Sequence, residues 1–224
     1  MLKRGLAFAL ALVMLASVSV AGATGMEIEK NGQWYTEVSA WAKDGVEKAI
    51  DLGVAYWPSR GDAKTSISRC YFAEDAAAVV ALAYGSDLAA YEGFRVLQLM
   101  RGTGDNQKYA YETLDILRGR GNGDMDFFGN ITRQEAAVML ARAYRIYCDE
   151  IHDDMEPLAY ADKNDIADWA KDGVALCGQL GLLVGANGTF SPTDTATRAM
   201  GAVILQRLDE ADLRPQPVEN GSNI

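Results

Sequence analysis

The hexapeptide Trp41-Ala42-Lys43-Asp44-Gly45-Val46 recurs unchanged as Trp169-Ala170-Lys171-Asp172-Gly173-Val174. An identity of that length containing a tryptophan commits the chain to an internally repeated architecture. The likeness extends outward on both sides. Leu52-Gly53-Val54 follows the first copy as Leu180-Gly181-Leu182 follows the second, and Tyr35-Thr36-Glu37 precedes the first as Tyr160-Ala161-Asp162 precedes the last. A middle copy lacks the tryptophan but keeps the second half, where Leu114-Asp115-Ile116-Leu117-Arg118-Gly119 parallels Leu180-Gly181-Leu182-Leu183-Val184-Gly185. Both lead through glycine-rich loops to a threonine and an arginine, in Ile131-Thr132-Arg133-Gln134-Glu135 and in Ala196-Thr197-Arg198-Ala199-Met200. The expected organisation is therefore three repeats, at 34–88, 89–149 and 158–210.

Each repeat reads as helix, loop, helix. In the last copy Asp165 or Asp168 can cap the first helix, and Gly181 or Gly185 can end it in a left-handed turn. The loop 186–192 has turn chemistry with Phe190 as its apolar anchor. The second helix of the middle copy places Ala137, Leu140, Ala141 and Tyr144 on one face, with Arg142 and Arg145 off it. No segment alternates as a strand. The expected class is all-α, three helix-loop-helix repeats.

The ends and the charge bound the compartment. Lys3 and Arg4 precede an apolar run ending in Ala21-Gly22-Ala23, the layout of a secretory signal peptide at 1–23. No second long apolar run follows, so no membrane span is expected after its removal. The tail 211–224 holds Pro215 and Pro217 and ends in Asn-Gly-Ser-Asn-Ile, which suits disorder. Loss of Lys3 and Arg4 moves the formal net charge from -10 to -12. A surface that acidic disfavours nucleic acid, whose phosphates need clustered Lys and Arg. Three cysteines, Cys70, Cys148 and Cys177, permit one internal disulfide at most. They fit buried thiols, with a Cys148 to Cys177 bridge as the alternative.

Few residues carry chemistry. Thr132 and Glu135 form the pattern of a capping box. Arg133 and Arg198 stand at the first helical position, where a cation faces the positive end of the helix dipole. An anionic ligand held by the guanidinium and free backbone donors would reverse that cost. An Asp or Glu from a neighbouring repeat would do the same. Trp41 and Trp169 can stack on a sugar or anchor a core. Glu37 and Asp162 can accept sugar hydroxyls or cap the helices that follow. The run 122–126 resembles a calcium loop but has Phe127 and Arg133 where that template needs glycine and glutamate, so no metal is expected. His152 is the one histidine and no nucleophile elbow or metal triad surrounds it. Neither catalysis nor a cofactor is expected.

The ordered motifs resemble the S-layer homology family over nearly the whole chain after the signal. The last repeat carries the resemblance in Tyr160-Ala161-Asp162, Trp169-Ala170, Gly188-Thr189-Phe190-Ser191-Pro192 and Thr197-Arg198-Ala199, and the middle one in Thr132-Arg133-Gln134-Glu135. What the resemblance implies is a pseudo-threefold spindle whose grooves hold secondary cell-wall polysaccharide, often with a pyruvate ketal. It also implies that Arg133 and Arg198 contact the anionic sugar. In the first repeat, anchoring on Ala73-Glu74 puts Phe72 at the arginine position. Anchoring on Ser68-Arg69 supplies Arg69 but leaves three extra residues before the helix. The expected function is a secreted, wall-associated, non-catalytic anchoring module. The alternatives are a degenerate repeat that meets another envelope protein, and a wall-modifying hydrolase.

Overall fold

The computed structural model describes residues 25–52, 60–73, 75–76, 115–120, 124–147 and 158–211. The expected signal peptide, Cys148, His152, residues 77–114 and the tail beyond residue 211 lie outside them.

Asn31 and Gly32 both take positive φ, 53° and 75°, which a two-residue hairpin turn requires and Asn-Gly tolerates best. They join β1 (Met26–Lys30) to an antiparallel β2 (Gln33–Val38), with Lys30 opposite Gln33. Ile28, Tyr35 and Val38 point into a core, and Glu27, Glu29 and Trp34 face solvent. After a crossover through α1 (Lys43–Leu52), β3 (Arg60–Asp62) pairs with β2 in parallel. The sheet order is β1-β2-β3. This overturns the all-α expectation: the chain mixes helices with a three-stranded sheet. Its alternation was hard to see because a register shift between Met26 and Ile28 breaks the period of two.

The remaining helices are α2 (Arg133–Tyr147), α3 (Lys171–Gln179) and α4 (Arg198–Glu210), and residues 69–73 are helical as well. α1 packs on α4 and α2 on α3. The repeated hexapeptide makes both crossings. A Cβ on Gly45 would lie 2.8 Å from Val203 Cα, and one on Gly173 would lie 2.9 Å from Val138 Cα. Glycine to alanine inside a helix ordinarily gains about 0.5–1 kcal/mol. Here the added methyl meets backbone, so Gly45→Ala and Gly173→Ala should each lose about 1–3 kcal/mol instead. The sign of the shift in urea midpoint checks this.

A closed ring of backbone hydrogen bonds joins three segments. Ile67 N–H donates to Ala196 O (3.0 Å), Ala196 N–H to Ile131 O (2.9 Å) and Ile131 N–H to Ile67 O (3.1 Å). The pattern repeats two residues on. Arg69, Arg133 and Arg198 donate their backbone N–H groups to Gly129, Asp194 and Thr65 carbonyls at 3.0, 2.9 and 2.9 Å. Cys70, Gln134 and Ala199 donate to Phe127, Pro192 and Ala63 at 2.9, 3.0 and 2.9 Å. Ser68-Arg69 thus stands where Thr132-Arg133 and Thr197-Arg198 stand. The helix begins at residue 69 with no extra residues before it, and Phe72 is buried in the core.

Candidate functional site

The ring changes what the three helix starts can bind. Their first backbone donors are taken by carbonyls of the neighbouring segment, and the next are met by side chains. Thr197 Oγ1 accepts from Met200 N at 3.3 Å. Thr132 and Glu135 form the expected capping box, with Thr132 N donating to Glu135 Oε2 at 2.9 Å and Glu135 N donating to Thr132 Oγ1 at 3.4 Å. Backbone donors are therefore not free to hold an anion at these ends, and any ligand there must be met by a guanidinium alone.

Two of the three arginines are already engaged. Arg69 is 3% exposed, with Nη1 on the Glu135 carboxylate and Nη2 on Arg118 O at 2.7 Å. Arg133 lays its guanidinium over the Phe190 ring, 5.0 Å from the centroid. Its Nε donates to Phe190 O at 2.8 Å and its Nη2 to Val184 O at 3.0 Å. Arg133 thus clasps the 184–190 loop through carbonyls, not through an acid of a neighbouring repeat. Arg198 makes no ion pair among the described residues, and its positive charge acts on the buried phenol of Tyr35.

The acidic candidates also resolve. Asp162 does not cap the turn that follows it. Its carboxylate accepts from Phe190 N at 2.8 Å and Ser191 N at 2.7 Å, and those backbone donors hold its pKa below the ordinary carboxylate value. Glu37 pairs with Lys64 Nζ at 2.6 Å on the surface, and that hydrogen bond lowers its pKa.

The tryptophans are the exception. Short 3-10 turns at Ala40–Ala42 and Asp168–Ala170 turn both outward. Trp41 is 49% and Trp169 59% exposed, so neither anchors the core. Trp169 stands at a cavity of about 430 Å³ shared with Arg118, Arg142, Arg145, Asp115 and Asp172. Val138, Ala141 and Gly173 also line it. Arg118 makes a bidentate pair with Asp115, Nε to Oδ1 at 2.6 Å and Nη2 to Oδ2. Arg142 is held by one long bond, Nη1 to Ile116 O at 3.3 Å. Burial, then the charge of Arg118, lowers the Arg142 pKa. Among the described residues neither Arg142 nor Arg145 has an ion-pair partner. An exposed indole beside two unpaired guanidiniums suits a sugar face and its carboxylate.

Arg118, Arg142 and Arg145 were not candidates from the sequence, which pointed to the helix start. The available signal was that Arg142 and Arg145 fall off the apolar face of α2. Among the described residues no cluster of three His, Cys, Asp or Glu side chains is placed to hold a metal. No described helix is long and apolar enough to cross a membrane.

Residues 159–199 match the S-layer homology domain. The chain is similar to an endoglucanase of Bacillus sp. (strain KSM-635), 31% identical over 111 residues, which is 46% of this chain and 12% of that enzyme. It is also similar to an amylopullulanase of Thermoanaerobacterium thermosulfurigenes, 34% identical over 82 residues, 36% of this chain and 4% of that one. Exoglucanase XynX of Acetivibrio thermocellus is 34% identical over 96 residues, 42% of this chain and 9% of that enzyme. The shared stretch is thus a small part of each relative. The stretch that matches the S-layer homology domain, residues 159–199, holds Asp162, Trp169, Phe190 and Arg198.

Proposed function

We propose that the protein is a non-catalytic module that holds to the bacterial cell wall by binding an anionic, pyruvylated secondary wall polysaccharide. In this reading it is secreted and works at the wall, and its three repeats span 34–88, 89–149 and 158–210. The observation that carries the reading is Trp169, exposed in one groove beside Arg142 and Arg145, which have no ion-pair partner among the described residues. The family match over 159–199 supports it. So does the hydrogen-bonded ring that gives Ile67, Ile131 and Ala196 like positions. The enzymatic names of the relatives do not carry over, because the matched stretch is at most 12% of any of them.

Co-sedimentation with purified wall sacculi tests the proposal. The protein should pellet with untreated sacculi and stay in solution once acid has stripped the secondary polymers. Arg142→Ala combined with Arg145→Ala should abolish pelleting. Binding that ignores both treatments would sink the polysaccharide reading. A second reading, a structural or protein-binding element of the envelope with another envelope protein as partner, is favoured by Arg69 and Arg133 being engaged inside the fold. It would be supported if the folded protein ignored sacculi altogether.

A further inference from the structure

The two hexapeptide copies sit among matching contacts that differ in charge. Three observations set the register between them. Gly173 meets Val138 Cα as Gly45 meets Val203 Cα, at 2.9 and 2.8 Å from the built Cβ. Arg142 Nη1 donates to Ile116 O at 3.3 Å as Arg207 Nη1 donates to Leu182 O at 3.4 Å. The residues before those acceptors, Asp115 and Gly181, both take left-handed φ, 54° and 69°. This register sets Arg142 against Arg207, Arg145 against Glu210, Arg118 against Val184 and Asp172 against Asp44.

The substitutions reverse the sign of the site. The Trp169 groove has three guanidiniums against the carboxylates of Asp115 and Asp172. At the corresponding positions around Trp41, Arg207 remains as the one guanidinium, against Glu210 and Asp44. Neighbouring lysines do not restore the balance. Lys48 is paired with Asp209 at 2.7 Å, and Lys171 beside the other groove is paired with Asp168 at 2.6 Å. Both indoles stay exposed, so each can offer a stacking face to a sugar ring. Only Trp169 is flanked by guanidiniums, those of Arg142 and Arg145, that have no ion-pair partner among the described residues and can take a carboxylate, while Glu210 and Asp44 repel one.

We infer that, of these two places, the Trp169 groove takes a carboxylate-bearing sugar, and that the equivalent surface at Trp41 takes a neutral sugar and rejects an anionic one. This rests on the wall-polysaccharide reading above and assigns its acidic residue to one groove. The specificity then resides chiefly in Arg145, which the Trp41 side replaces with Glu210; Arg118, which the Trp41 side replaces with Val184, is already paired with Asp115.

Titration followed by the tryptophan indole N–H signals in nitrogen-15 NMR tests it, each signal assigned by a Trp→Phe variant. Methyl β-D-glucuronide should shift the Trp169 signal and leave Trp41 still, whereas methyl β-D-glucoside should shift Trp41. Arg145→Glu should weaken the glucuronide response at Trp169 by about tenfold or more. Val184→Arg combined with Glu210→Arg should make Trp41 respond to glucuronide. Arg145, Val184 and Glu210 are exposed, and the dispersion of the other signals reports that each variant folds. The proposal is overturned if glucuronide shifts both indoles alike, if it shifts neither, or if Arg145→Glu changes nothing. A selective Trp169 response in a protein that ignores sacculi would sink the wall reading and leave this one standing. Sacculus binding with both indoles responding would do the reverse.

Discussion

Glu135→Ala should destabilise the protein by about 3–5 kcal/mol, the range for removing one partner of a buried ion pair. Arg69 has little alternative. It is 3% exposed, its Nε has no hydrogen-bond partner, and its Nη2 is already committed to Arg118 O. Burial already lowers its pKa against the opposing pull of Glu135. Without the carboxylate the guanidinium stays buried and unpaired. The same substitution removes the capping box, since Glu135 Oε2 accepts from both Thr132 N and Thr132 Oγ1 at 2.9 Å. It also removes one of the two carboxylates on Arg120, whose Nε lies 3.2 Å from Glu135 Oε1 and whose Nη1 stays paired with Asp126 at 3.0 Å. A control separates these effects. Glu135→Gln with Arg69→Met keeps a capping acceptor and removes both charges, and it should recover at least half of the loss. Urea unfolding gives both numbers, and a loss under about 1 kcal/mol for Glu135→Ala would match a solvent-screened surface pair and refute the buried-pair account. The consequence reaches the groove, because Arg69 holds the Arg118 carbonyl. Arg69 is a positioning residue for the wall that carries Asp115 and Arg118.

That role shows where the sequence could be read and where it could not. The unchanged hexapeptide announced the repetition, and its glycine has a packing reason: Gly45 and Gly173 sit where a methyl would strike the facing helix. The capping box was legible because both partners lie within one turn. The arginines at the helix starts were legible as residues but not as roles. Whether Arg133 meets a ligand depends on Phe190 and Val184, more than fifty residues away, and sequence spacing says nothing of carbonyls at that distance. The same limit hid the Trp169 groove, which Asp115, Arg142 and Asp172 enter from three separated segments. The sheet was missed for a local reason. Asn31-Gly32 is a strong hairpin signal, but it precedes the repeat frame, and the register shift at Met26 spoils the alternation beside it. Tyr35-Thr36-Glu37 lies on a strand, whereas the matching Tyr160-Ala161-Asp162 lies in a turn, so similar tripeptides took different backbones under different neighbours.

Cys177 should react with iodoacetamide at about pH 8 at least about a thousandfold more slowly in the folded protein than in the unfolded chain. Its thiol is fully buried and donates to Ala137 O at 3.3 Å. Burial pushes its pKa up to about 12, against about 8.5 for a free thiol, so almost no thiolate forms near neutrality. Cys70 is buried as well and forms no disulfide among the described residues. Mass spectrometry after labelling with and without denaturant, and without reductant, reads the difference. Rapid labelling in the native state would mean that the α2–α3 packing opens. Failure to label after denaturation would instead mean that Cys177 is held in a disulfide. A free, buried Cys177 also fixes how stability depends on pH. Below about pH 8.5 the thiol is protonated in both states and folding is unaffected by it. Above that, the unfolded chain releases a proton that the folded one keeps until about pH 12, so stability falls by about 1.4 kcal/mol per pH unit. Tyr35, whose buried phenol is likewise raised to about 12, adds to the slope above about pH 10. Cys177→Ala should flatten the stretch between about pH 8.5 and 10 and leave the Tyr35 limb in place. That outcome would locate the alkaline weakness in the core between α2 and α3, directly beneath the helices that line the groove at Trp169.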